Sequence, residues 1–354
     1  MTQQISDQCM RVARRIIKEM FAVKAGEIVA ITADDGSDPA MTQAFYQAAV
    51  EVDAKPMVIQ FRQARDNGQA GIADWPVEAL QAALKHVDVW LETNEAFTLY
   101  ADFWENVMKE NKKIRYNILA GSSIDSLERV FCDFSIKKMD NMLRTLKTLA
   151  ATTNTVRVTS KNGTNVSFAM DQNNTIDFDS GDFSTKNFCT APGYLNLVPK
   201  TGTMKGNIIF DMIMHADLSK GGHIEFIMDD GMIVDYCGAE SLPLKNYVNQ
   251  FNEDNMRKIS HMMVGCCPGT QKLSWEIVED ERIWGGVNFG FGHTSPMDMP
   301  GGQIASSHFD GISTSATIWF DDTLIVENGV FVLASIADDA LSILEEYNSA
   351  TTKR

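Results

Sequence analysis

No apolar run in this chain approaches the roughly 20 residues that a helix needs to cross a bilayer. The polar start MTQQISDQ has neither the basic nor the apolar stretch of a secretory leader. A soluble, cytoplasmic protein is the expectation. Basic residues are also in deficit: 31 Lys and Arg face 47 Asp and Glu, a formal charge of −16. Such a surface repels phosphate backbones and anionic membranes, so neither nucleic acid nor a membrane is an expected partner. Cysteine is sparse, and Cys9, Cys132, Cys189, Cys237, Cys266 and Cys267 form no Cys-x-x-Cys pair. That spacing excludes a zinc knuckle or a dithiol redox motif and leaves reduced, mostly buried thiols. The glycine-rich run from Gly285 to Gly292 has no Lys-Ser/Thr and no strand-turn-helix order, so it is no phosphate cradle. Asp34-Asp35-Gly36-Ser37-Asp38 lacks the downstream glutamate of a calcium loop and reads as a turn capping the next helix.

Apolar residues are plentiful. They make up 44% of the 354 positions, enough for a large core and two domains, and the 19 scattered methionines read as core filling. Ile5, Met10, Val12, Ala13, Ile16 and Ile17 recur at helical spacing. Strand-like runs at 27–31, 56–60, 87–91 and 114–119 are separated by helix-forming sequence, including a helix over 39–52. Strands alternating with helices imply a mostly parallel sheet, giving an α/β N-terminal domain over 1–150. Beyond it the pattern changes. Alternating runs flank Asn162-Gly163, Asp230-Gly231 and Asn328-Gly329, which are hairpin turns because a tight turn needs positive φ. A β-rich α+β C-terminal domain over 151–354 is expected, interrupted by a helix over 252–264 and closed by another over 338–347.

The chemistry is concentrated in Ser307-His308-Phe309-Asp310-Gly311. Strand side chains alternate faces, so His308 and Asp310 project together while Phe309 points away. An imidazole and a carboxylate on one face, joined by one more imidazole, make the metal set of non-haem Fe(II) oxygenases. His215-Ala216-Asp217 is a rival triplet, but Leu218-Ser219-Lys220-Gly221-Gly222 follows it in a loop-like setting, where the alternation argument fails. His86 and His223 read as a helix-end and a hairpin residue, and a helix-end reading is the ordinary one for His261 on its residues alone. His293 lies in Gly290-Phe291-Gly292-His293-Thr294-Ser295-Pro296, read as a loop open to a ligand. Phe97, Tyr100, Phe103 and Trp104 read as core, or as one wall of an aromatic pocket.

Ala191-Pro192-Gly193-Tyr194, Gly206-Asn207-Ile208-Ile209-Phe210-Asp211, the run from Gly286 to Gly292 and His308-Phe309-Asp310-Gly311 together resemble the thermophilic-aminopeptidase family of metallopeptidases. Three departures stand out. A family glutamate after Pro-Gly falls at Leu195 or Asn196, another after Arg257-Lys258-Ile259-Ser260 falls at His261, and a family histidine falls at Asn288. Too few donors remain for a two-metal hydrolytic site. The surviving set resembles the 2,5-dihydroxypyridine 5,6-dioxygenase family, ring-cleaving Fe(II) enzymes of nicotinate degradation on the same fold. That resemblance implies Fe(II) held by His261, His308 and Asp310 in the second domain. It also implies dioxygen and 2,5-dihydroxypyridine as substrates, N-formylmaleamate as product, and a homo-oligomer. His293 is the candidate acid-base group, with Thr294, Ser295, Tyr194 and Tyr100 as candidate substrate contacts. A metal-dependent aminopeptidase and a non-catalytic binding protein are the alternatives.

Overall fold

The protein is described by a computed structural model covering residues 5–66, 68–99 and 101–353. Its chain divides into two compact units, one of residues up to Cys132 with 181–191, the other of 133–180 with 192–354.

In the first unit the short β-branched runs form a parallel sheet. Its strand order is Lys55–Gln60, Ile28–Ala33, Val89–Glu92, Arg115–Ile118, Phe188–Cys189. Asp38 caps the helix Pro39–Val50 through the Ala40 N–H, with Pro39 in its first turn, as its acidic turn implies. Phe103 and Trp104, on the helix Asp102–Glu110, are buried against Trp90 and Tyr116 of the sheet. They are core, and Phe97 lies outside that helix.

The division falls elsewhere than residue 150. Helix Ile136–Ala150 buries Met139, Met142, Leu143 and Leu146 and packs within the second unit, where Lys138 bonds Ser342 at 2.6 Å. The segment 181–191 returns to the first unit because Phe188–Cys189 extends its sheet beside Arg115–Ile118. A two-residue strand leaves no periodicity to read.

The second unit contains two large antiparallel sheets. The first orders Met232–Cys237, Ile224–Asp229, Lys205–Phe210, Asn165–Ala169, Thr155–Ser160, Ala316–Phe320, Thr323–Glu327 and Val330–Phe331. Two of its turns have φ of 48° and 74° at Asp230-Gly231 and 49° and 84° at Asn328-Gly329, the conformation that the turn sequences require. The second sheet carries the candidate site. Its order is Met212–Ile213, Gln303–Ser313, Val287–Thr294, Ile259–Gly265, Tyr194–Leu197, Asp177–Asp179. The closing helix runs Ala337–Thr352.

Two expectations are corrected here. Residues 252–264 are not a helix but a single turn, Asp254–Arg257, followed by the strand Ile259–Gly265. A continuous apolar run has no period that separates helix from strand, and pairing with strands on both sides decides it. The run through His293 and Thr294 is likewise strand Val287–Thr294 rather than loop.

Alternation along Gln303–Ser313 gives the sheet two unlike faces. Phe309 is fully buried, stacked on Phe291 at 5.2 Å between centroids and edge-on to Phe226 at 6.5 Å. His308 and Asp310 take the opposite face. Among the described residues no helix is long and apolar enough to cross a membrane. Phe309→Ala should cost about 3–5 kcal/mol of unfolding free energy in a denaturant titration; a loss below about 1 kcal/mol would show that this face is not close-packed.

Candidate metal centre

Three adjacent strands bring the site together in one row. Asp310 pairs with Gly290, and Gly290 with His261. Strands lie about 4.8 Å apart, so side chains two strands apart begin nearly 10 Å from each other. His261 and Asp310 nevertheless approach to 3.4 Å between Nε2 and Oδ1. They do so by leaning across Gly290, where a Cβ would lie only 2.4 Å from the His261 Cε1.

His308 completes the group, with its Nε2 3.1 Å from Asp310 Oδ2 and its ring 5.2 Å from that of His261, the planes 18° apart. One donor atom from each residue lies within 4.8 Å of the others. Metal bonds of about 2.1 Å at right angles place neighbouring donors about 3 Å apart, close to the 3.4 Å and 3.1 Å that separate the two imidazoles from the Asp310 oxygens. Asp310 is buried and the two imidazoles are partly exposed.

The ring of His308 is held from behind. Its Nδ1 lies 2.9 Å from the His293 carbonyl, which can only accept, so Nδ1 carries the proton and Nε2 is left for a ligand. Ser260 donates to the same carbonyl at 2.9 Å, and Thr294 donates to Ser260 at 2.7 Å. Burial alone would lower the His308 pKa; the Asp310 carboxylate and the His293 carbonyl outweigh it and raise it to about 9. Burial would raise the Asp310 carboxyl, but the charges and hydrogen bonds of His308 and His261 hold it well below the usual carboxylate range.

The structure brings together His261, His308 and Asp310, and gives the other candidates these positions. His293 supports His308 through its backbone, while burial, then the His308 charge, lower the pKa of its own ring. Thr294 is tied to Ser260, and the Ser295 hydroxyl accepts from the Met297 N–H at 3.1 Å. Tyr194 is buried, donates to Asp179 at 3.2 Å and lies under the Arg282 guanidinium. Tyr100 lies outside the described residues. The rival triplet does not converge on the site: exposed His215 stacks on Tyr247, and Asp217 accepts from Ser219 in a local turn.

Three residues of the site are not evident from sequence. Asn288 donates to Asp310 Oδ1 at 2.8 Å. Gly290 makes the room, and its alternation with Asn288 and Gly292 on the face of His308 and Asp310 is the signal that could reveal both. Glu281 has no such signal; burial, then the Asp310 charge, raise its carboxyl to about 7.

Comparison with known proteins completes the picture. No curated protein matches the chain by sequence. Its fold is similar to the solved structure of 2,5-dihydroxypyridine dioxygenase from Pseudomonas putida KT2440, with TM-score 0.78, 18% identity, and 93% of this chain and 98% of that one covered. Wild-type AmpT from Thermus thermophilus is also similar, with TM-score 0.68, 11% identity, and 92% and 99% covered. At these identities both show the fold alone. Residues 11–333 match the family NicX, 2,5-dihydroxypyridine 5,6-dioxygenase. Over nine-tenths of its length, therefore, the chain belongs to the 2,5-dihydroxypyridine 5,6-dioxygenase family.

Proposed function

We propose that the chain carries out its family's reaction as a non-haem, extradiol-type dioxygenase, through one Fe(II) held by His261, His308 and Asp310, opening 2,5-dihydroxypyridine to N-formylmaleamate. The observation that carries this reading is the meeting of two imidazoles and one carboxylate over Gly290. The 5,6 bond of the ring breaks and both atoms of dioxygen enter the product, one at each former ring carbon. A bound ferrous ion supplies the unpaired electrons that let triplet dioxygen react with a closed-shell ring, and a facial ligand set leaves it open positions.

The chain's own residues do the rest. Asp310 offers the single negative charge among the three donors, which leaves the centre net positive and favours an anionic hydroxypyridine. The His293 carbonyl and Ser260 keep the His308 Nε2 turned to the centre. In this reading the His293 ring moves protons to and from the substrate, and Ser295 and Thr294 contribute to its binding. The family expectation of a cytoplasmic homo-oligomer in nicotinate degradation belongs to the same proposal. An aminopeptidase is disfavoured because Leu195 or Asn196, and Asn288, stand where that chemistry needs metal-binding side chains.

Anaerobic loading with ferrous iron followed by exposure to 2,5-dihydroxypyridine should consume one dioxygen per ring. Absence of uptake across a hydroxypyridine panel would exclude the reaction. In the same assay His293→Ala should keep its iron and slow turnover, and an unchanged rate removes that ring from the mechanism.

Gly290→Ala tests the convergence itself. The variant should fold, with the His261 ring driven off the group and iron affinity reduced at least about tenfold. Iron bound as in the wild type would show that His261 is not a ligand.

A further inference from the structure

Asn288 is fully buried on the strand Val287–Thr294, between Met263 and Ile312 of the neighbouring strands. Its Nδ2 donates to Asp310 Oδ1 at 2.8 Å and stands 3.4 Å from His261 Nε2. Its Oδ1 is buried with no hydrogen-bond partner. A turned amide would press its oxygen against a carboxylate oxygen, so the contact with Asp310 sets the orientation even though it strands the carbonyl. Buried amides ordinarily satisfy both ends; this one satisfies the end that faces the metal set.

We infer that Asn288 is a positioning residue that makes Asp310 a one-oxygen ligand. The amide N–H occupies Oδ1, while Oδ2, 3.1 Å from His308 Nε2, is left for the cation. A two-oxygen carboxylate would use a fourth position on a six-coordinate ion, and a histidine or carboxylate at 288 would do the same. An amide N–H cannot ligate. Three positions thus stay open together, enough for dioxygen and two donors of the ring. The inference rests on the metal reading above.

The test is a titration of the full-length, metal-free protein with Co(II), followed by visible absorption, beside denaturant unfolding of the same metal-free samples. Asn288→Leu keeps the branched shape and removes the donor. It should stay folded with a lower unfolding midpoint, bind Co(II) about tenfold to hundredfold more weakly, and show an altered d–d spectrum as the carboxylate turns two-oxygen. Asn288→Ser, with a hydroxyl donor, should recover part of the affinity. Wild-type affinity and spectrum in the leucine variant would overturn the inference while leaving the metal centre standing. If that variant does not fold, Asn288→Ala takes its place: the same loss of Co(II) affinity is expected, and wild-type affinity again overturns the inference. Failure of the wild-type protein to bind Co(II) would instead remove the metal centre, and the role of Asn288 with it.

Discussion

Two side chains on strands separated by a third can meet only where the middle strand withdraws its own side chain at that level. In this protein the withdrawal is at Gly290. The His261 ring lies where a Cβ would be, and Asp310 meets it from the other side. Because the register aligns His261, Gly290 and Asp310 in one row, their meeting is a property of the sheet rather than of a flexible loop. His308 enters from the next row, opposite Gly292, where the middle strand again offers no side chain.

The other face of the same strands supplies the rigidity. Phe289, Phe291 and Phe309 are fully buried there, and Gly311 is tight enough that a Cβ would lie 2.5 Å from the Phe210 ring. Close packing on one face and a polar cluster on the other follow from the same two-residue period. The chain of contacts from Thr294 through Ser260 to the His293 carbonyl and on to His308 holds the imidazole from behind. Orientation of this kind fixes which ring nitrogen faces Asp310.

The legible parts of the fold and site are those written in local periodicity. His308 and Asp310 can be read from one strand because alternation is a rule about neighbours. Hairpins at Asp230-Gly231 and Asn328-Gly329 carry their own turn chemistry, and the parallel sheet shows itself through alternation of strands and helices. His261 is hidden because Ile259, Met262, Met263 and Val264 form an apolar run that suits helix or strand, and only pairing with two partner strands settles it. The return of 181–191 to the first unit and the packing of Ile136–Ala150 in the second depend on contacts distant in sequence. Asn288 reads in the sequence only as a missing histidine, since its bond to Asp310 exists once register brings the strands together.

The proposed reaction requires one cation among His261, His308 and Asp310. An anomalous-difference map from crystals grown anaerobically with ferrous iron tests it most directly. The expected result is a single iron peak per chain within bonding distance of both Nε2 atoms and one Asp310 oxygen. Two metal peaks in that region, or an iron bound away from His261, would contradict it.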